Sequence, residues 1–242
     1  MLVTRATPTH SAADLHLHTH YSDGRASPSE LVRHVAAFGQ LQVIAVTDHD
    51  TITGAREAAA LAPGFGVTCI VGEEVSSTGG HIVGLFLQEV VPAGLSPAQT
   101  LAAIHAQGGL AFAPHPFFQP RRQGTRQDLP AMESVGQLVE TLPFDAIEVI
   151  NATPFLGGAN RAAQRCNREL TKLPELACSD GHILEAVGKG FTIFPGESAD
   201  DLRRAIRGGT TLPQAIPYTP AELLHYMNFW LRTSLARRGP AW

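Results

Sequence analysis

Three histidines at alternate positions, His16, His18 and His20, follow a short apolar start in the stretch ADLHLHTHYSDG (13–24). Alternation is the period of a β-strand, where residues i, i+2 and i+4 share one face. The stretch therefore aims several imidazoles at one point. A metal ion is the chemistry such convergence serves, provided the rest of the chain brings further ligands. Asp23, in the Asp-Gly turn that closes the stretch, is the nearest candidate.

Further along, ligand-type residues recur at the ends of apolar runs. TDHD (47–50) carries His49 between Asp48 and Asp50, and GEEV (72–75) offers Glu73 and Glu74. GGHIVG carries His81, APHP carries His115, and CSDGH carries Asp180 and His182. A single histidine at a strand end is ordinarily a cap or a packed core residue. Recurrence at strand after strand is different, because unrelated core histidines have no reason to choose equivalent places. Of eleven histidines, six fall at such positions, and His10, His20, His34, His105 and His225 do not. Six imidazoles with two or three carboxylates exceed the needs of one ion, so two or three divalent ions sharing a bridging ligand are expected. Mixed nitrogen and oxygen donors without thiolate suit Zn, Mn or Fe rather than an all-oxygen Mg or Ca cage.

The elements that must hold these residues alternate along the chain. Strands are expected at 14–18, 42–48, 67–73, 81–87, 109–115, 146–151, 176–180 and 190–194. Helices between them start at well-marked caps: SPSE (27–30), SPAQ (96–99) and TPAE (219–222) pair a capping residue with an acidic or amide group three positions on. Strand–helix alternation without a break in composition predicts one α/β domain with a mainly parallel sheet closed into a barrel, its chemistry at the carboxyl ends of the strands. Residues 1–12 are expected to be a tail, 13–242 the barrel domain, and 196–242 a helical appendage packed on it. In the last helix Leu223, Met227, Trp230, Leu231, Ser234 and Leu235 share a face, which is expected to pack on the barrel.

The bulk properties exclude several classes. A hydrophobic content of 44% fits an ordinary soluble globular protein, and a net charge of −4 gives no general pull toward nucleic acid or anionic membrane. No apolar run approaches the length of a membrane span. The N-terminal stretch has no continuous apolar core, so a secretory signal is not expected. Cys69, Cys166 and Cys178 are widely spaced and odd in number, reading as reduced thiols of a cytoplasmic protein. Cys178, beside Asp180, reads as buried strand filler.

The motifs DLHLHTHYSDG, VTDHDT, GEEVSS, HIVGLF, APHP and CSDGH occur in the order and style of the polymerase-and-histidinol-phosphatase (PHP) superfamily, which the chain resembles over roughly residues 13–195. The resemblance implies a distorted (β/α)7, TIM-like barrel with a two- or three-metal site and phosphoester hydrolysis as the activity. Position by position it implies His16, His18, Asp23, His49, Glu74, His81, His115, Asp180 and His182 as metal ligands. Glu74 is implied as the bridging ligand, with Glu73 on the opposite face, and His20 falls outside the pattern. Glu74, Asp180 and His182 are the implied catalytic residues.

The expected function is hydrolysis of a small phosphomonoester or phosphodiester, nucleotide-like, by hydroxide generated on clustered ions. Arg121, Arg122 and Arg126, after HPFF, and Arg25, after the SDG turn, are the candidate phosphate-holding side chains. Glu148 and Asn151 could line the site or serve structural hydrogen bonds. The expected partner is a small phosphorylated substrate, with no membrane and no stable nucleic-acid complex. Alternatives are a 5′-3′ exonuclease on single-stranded DNA or RNA ends, a catalytically silent metal-binding module and, last, an amidohydrolase. The amidohydrolase reading calls for a bridging lysine, and the chain has only Lys172 and Lys189.

Overall fold

Nine strands form a single curled sheet in the computed structural model, which describes residues 9–118 and 134–236. In chain order they are β1 (His10–Asp14), β2 (Val43–Val46), β3 (Thr68–Ser77), β4 (Gly80–Leu85), β5 (Leu110–Ala113), β6 (Ala146–Asn151), β7 (Glu175–Cys178), β8 (Gly190–Pro195) and β9 (Leu212–Ala215). The sheet order is β7-β6-β5-β4-β3-β2-β1-β8-β9. β1, β2 and β3 are parallel, as are β5, β6 and β7. Between these blocks β4 pairs antiparallel with both β3 and β5, because Gly79 and Gly80 let β3 turn straight back as a hairpin. β8 returns antiparallel along β1, and β9 along β8. The structure is thus a nearly closed, TIM-like α/β barrel; β9 is a strand the apolar pattern of the sequence does not announce.

Closure brings β7 back to β1 and β8. Thr192 Oγ1, from β8, donates to Ala177 O and accepts from Ala177 N at 3.0 Å each. Above it, Gly181 N donates to His16 O at 3.1 Å and His18 N donates to Gly181 O at 3.0 Å. Asp14, fully buried at the end of β1, accepts from Ser179 N and Gly188 N at 3.0 and 2.9 Å. The seam of the barrel therefore runs through the residues around the two ends of the histidine-bearing sequence.

Helices α1 (Pro28–Phe38), α2 (Thr53–Leu61), α3 (Pro97–Ala106), α4 (Gly157–Cys166), α5 (Ala199–Gly208) and α6 (Pro220–Ala236) connect or flank the strands. Capping boxes open α1 at Ser27/Glu30, α3 at Ser96/Gln99 and α5 at Ser198/Asp201, and Thr219 and Glu222 exchange the same bonds at α6. Each satisfies backbone N–H groups that the first turn leaves unpaired. The barrel interior is filled by Leu15, Val43, Ile70, Leu85, Phe112, Leu176 and Phe194, all buried, and α5 packs Leu202, Ala205 and Ile206 against it. Each such side chain contributes roughly 1.5–3 kcal/mol by leaving water.

The C-terminal helix docks differently from its expected face. Met227, Trp230 and Leu231 are exposed, whereas Tyr226 and Phe229 are buried against Ile183 and Ala186. The surface offered to α6 is the narrow loop after β7 rather than a broad helix layer, so two aromatic rings one turn apart suffice to fill it. Ser234 and Leu235 have side chains outside the described set.

Candidate metal centre

β1, β2, β3, β4, β5 and β7, or the loops beside them, deliver one or more polar groups to a single cluster. Past β1 the chain stays extended through Leu15–His18, placing His16 and His18 on one side and Leu15 and Leu17 in the hydrophobic clusters. The alternation ends there: residues 20–23 form a turn, His20 is exposed and stacked on Tyr21 at 4.7 Å, and Asp23 is brought back over the site. Two of the three opening histidines enter the cluster and the third does not.

His16, fully buried, turns Nε2 toward Glu74 Oε2 at 3.2 Å and Asp180 Oδ1 at 3.6 Å. His18 Nε2 lies 3.4 Å from Glu74 Oε2 and 3.3 Å from Asp180 Oδ1, with its Nδ1 3.8 Å from Asp23 Oδ1. His49 is 3.4 Å from Glu74 Oε2 through Nδ1 and 3.7 Å from Asp23 Oδ1 through Nε2. On the other side of Glu74, Oε1 faces His81 Nδ1 at 3.0 Å and His115 Nε2 at 3.1 Å. His182 Nε2 lies 3.1 Å from Asp23 Oδ1, and its ring stacks on His18 at 4.2 Å. Glu73, one residue from Glu74 on β3, points to the other face and accepts from Val91 N at 2.8 Å.

These donors fall into four overlapping groups whose ligand atoms lie within 4.8 Å of one another: His18–Asp23–His49–His182, His16–Glu74–His115, His16–His18–Asp180 and His49–Glu74–His81. Ligands at 2.0–2.1 Å on a tetrahedral ion are about 3.3 Å apart, which is the spacing that recurs here. The donor set fits divalent cations: buried and half-buried imidazoles, each facing carboxylate oxygens, with no thiolate. Cys178, though buried nearby on β7, has its thiol held protonated by burial.

Charge organises the cluster. Burial alone would raise the carboxyls of Glu74 and Asp180, but the facing imidazoles outweigh it and hold both well below the usual range. Asp23 is held low in the same way, chiefly by His182. Burial would likewise depress the imidazoles, yet Asp180 and Glu74 keep His16 well above its ordinary value, Glu74 raises His115, and Asp23 and Asp180 lift His182 to about 9. His18 goes the other way, to about 4, because burial is joined by the neighbouring charge of His182. His16, His115 and His182 are thus proton holders beside a neutral His18.

Several residues position the cluster without entering it. Asp48 accepts from Thr19 N and Thr19 Oγ1 at 2.6 Å each and from Ser22 Oγ at 2.7 Å, clamping the loop that carries Asp23. Gly54 at the start of α2 lies so close to Asp48 and Thr19 that any Cβ would collide with their side-chain oxygens. Asp50 accepts from Ser76 N at 2.7 Å. In TDHD, then, the two aspartates hold the loops on either side while the histidine faces the cluster. Replacing Asp48 by alanine should cost about 3 kcal/mol, because three donors lose a charged acceptor in a buried place. Denaturant unfolding of the D48A chain checks this.

Three residues at the cluster adopt left-handed backbone without being glycine: Asp50 (φ 55°), His115 (φ 28°) and Asp180 (φ 53°). Such conformations cost of order 1–3 kcal/mol each and persist where surrounding bonds over-determine them.

Arg25, exposed, lies beside the cluster: its backbone N donates to His182 O at 2.9 Å, and its guanidinium sits 5.0 Å from the Phe229 ring. Phe229 from α6 in turn lies 6.1 Å from the His182 ring. Arg25 and Phe229 also line a groove of about 340 Å³ with Glu30, Ile183, Glu185 and His225. Arg121, Arg122 and Arg126 lie outside the described residues. Lys189 donates to Glu222 at 2.7 Å and Lys172 caps the turn after α4, so neither lysine joins the cluster. Sequence reasoning missed Asp48 as a clamp and Phe229 as a neighbour of His182, since neither carries a motif signal for those roles.

A family model described as PHP domain matches residues 14–124, and one described as PHP-associated matches residues 157–211. An uncharacterized protein of Methanocaldococcus jannaschii is 38% identical over 176 residues, covering 68% of this chain and 95% of that protein. A 5′-3′ exoribonuclease of Haemophilus influenzae is 45% identical over 83 residues, 33% of this chain and 30% of that protein. A 3′,5′-nucleoside bisphosphate phosphatase of Chromobacterium violaceum is 42% identical over 84 residues, 33% of this chain and 29% of that protein. The chain therefore matches less than a third of the length of either named enzyme. Among solved structures, a two-domain protein from Bacteroides vulgatus, containing a predicted PHP-like metal-dependent phosphoesterase, superposes with a TM-score of 0.66 at 20% identity over 86% of this chain and 65% of that one. No helix among the described residues is long and apolar enough to cross a membrane.

Proposed function

Because this chain belongs to the PHP domain family, we propose that it hydrolyses a small phosphomonoester or phosphodiester, nucleotide-like in character, using two or three divalent ions held by His16, His18, Asp23, His49, Glu74, His81, His115, Asp180 and His182. The observation that carries this reading is Glu74: its two oxygens face different sets of imidazoles, His16, His18 and His49 on one side and His81 and His115 on the other. A carboxylate so flanked is suited to bridge two ions and set their separation. When bound, divalent ions supply Lewis acidity toward phosphoryl oxygens and lower the pKa of water.

The chain's own groups divide the remaining work. Glu74 and Asp180 provide the buried negative charge that keeps the cluster assembled. Asp23, His49, His81 and His182 are the partly exposed members, with side chains 18–28% accessible, so the substrate approaches from their side. Arg25, at the rim beside His182, is placed to meet a phosphoryl oxygen, and its guanidinium fork matches two such oxygens. Phe229, between Arg25 and His182, gives that rim an apolar surface against which a planar group can lie.

The test is phosphate or nucleotide release by chain loaded with Mn or Zn, from mononucleotides, a 3′,5′-bisphosphonucleotide, histidinol phosphate, sugar phosphates and short 5′-phosphorylated oligonucleotides. Turnover of one small ester, lost in His49→Ala, is the expected result. Mononucleotide release from oligonucleotides alone would replace this reading by a 5′-3′ exonuclease. No turnover of any substrate with metal bound would leave a silent binding module.

A further inference from the structure

β6 sends no residue into the four donor groups found among the described residues, yet its two buried polar side chains, Glu148 and Asn151, touch three members of the cluster. Glu148 Oε1 lies 3.2 Å from His16 Nδ1, the ring nitrogen facing away from Glu74. Glu148 Oε2 accepts from His115 N at 2.6 Å and from Asn151 Nδ2 at 3.0 Å. Asn151 Nδ2 also reaches Asp180 Oδ2 at 3.1 Å. Asn151 is itself fixed: its Oδ1 accepts from Thr153 N, its backbone N donates to Asn160 Oδ1, and its carbonyl accepts from Asn160 Nδ2. Among the described residues no lysine or arginine pairs with Glu148, and it is 1% exposed.

We infer that Glu148 is a positioning residue that holds the proton of His16 on Nδ1, presenting Nε2 to a metal ion, and at the same time pins the strained backbone of His115. This rests on reading the cluster as a metal centre and adds to it a residue that contacts no ion. The chemistry follows from what each atom can do. A carboxylate only accepts, so the nitrogen facing Glu148 keeps its hydrogen, while Nε2, which also faces Glu74 and Asp180, is the nitrogen that would give up its proton to an ion held by those same carboxylates. The second oxygen takes the His115 N–H, whose residue sits at φ 28° and needs a strong local bond to stay there. Through Asn151 the same strand steadies Asp180, another residue with positive φ. One buried carboxylate and one amide thereby orient ligands contributed by three other segments of the chain.

Glutamine cannot substitute. Whichever way its amide is turned, one oxygen becomes NH2 and meets a donor, either His16 Nδ1–H or the His115 and Asn151 N–H groups.

Two measurements test the assignment, and neither needs turnover. In zinc-loaded chain labelled with 15N-histidine, nitrogen chemical shifts should show His16 protonated on Nδ1 and ligated through Nε2; a proton on Nε2 overturns the proposal without any variant having to fold. Competition with a chelating dye should then find zinc bound about 10–100-fold more weakly by Glu148→Gln, with the circular dichroism spectrum preserved. Zinc affinity within about twofold of the parent chain would equally overturn it, whereas tight zinc binding with the expected tautomer but no phosphate release would uphold it and count against phosphoesterase activity instead.

Discussion

Glu74→Gln is expected to lower phosphate release at least roughly 100-fold, the upper end of what losing a mere partner of a metal ligand costs, and to reduce the number of ions the purified chain retains. The substitution keeps the side-chain shape but turns one of two oxygens into a donor. Oε2 stands 3.2–3.4 Å from His16, His18 and His49, and Oε1 3.0–3.1 Å from His81 and His115. Either orientation of the amide therefore forfeits one whole set of imidazoles as a shared site. Elemental analysis beside the activity assay checks it. Full activity with the parent's metal content would mean that Glu74 is a counter-charge to the histidines and nothing more.

The ligand-type residues were legible because they sit at equivalent places in successive strand–loop units, a pattern that packing alone does not generate. The choice of Glu74 over Glu73 came from the family resemblance, strand alternation then putting Glu73 on the other face, and the structure sends these two carboxylates to opposite faces of β3. Other features had no local signal. That β8 and β9 return antiparallel depends on how the barrel closes through Thr192 and Ala177, a contact between distant segments. The docking face of α6 was misread because an apolar stripe says only that burial is favourable. The neighbour actually available, the loop around Ile183 and Ala186, selects Tyr226 and Phe229. The division of labour within TDHD was equally hidden, since three acidic or basic neighbours in a loop look alike until Thr19, Ser22 and Ser76 are brought to them.

Loading the metal-free chain should expel protons, between about one and three per chain near pH 7. His16, His115 and His182 all have raised proton affinities, His182 to about 9, because carboxylates face them. Ions must displace those protons to use the nitrogens, so metal affinity should rise steeply with pH through the neutral range. Calorimetric titration in buffers of different ionisation enthalpy counts them, and a count near zero would contradict the charge arrangement described for the cluster. The same shifts set the stability of the metal-free form. The three histidines contribute stability that is fully present below their unfolded pKa near 6.5 and is lost as pH rises through the folded values. Glu74, Asp23 and Asp180, held low, contribute stability present above about pH 4 and lost as pH falls through their folded values. His18, depressed to about 4, works against the other three histidines, costing stability as pH falls below about 6.5. Metal-free chain should thus melt highest near about pH 6 and loaded chain at higher pH, and thermal scans across pH separate the two.

The bonds of Gly181 to His16 and His18 give the barrel a seam whose two lips are far apart in sequence and both bear members of the cluster. During synthesis the N-terminal lip emerges first and must wait until β7 and the loop after it have been made. For most of that interval His16, His18, Asp23 and His49 are exposed on an unfinished sheet, able to catch a passing ion but unable to enclose it. The two donor groups that draw on Asp180 and His182 are complete only when that second lip arrives, so a chain cut short before residue 180 would lack both of them and would leave the seam open.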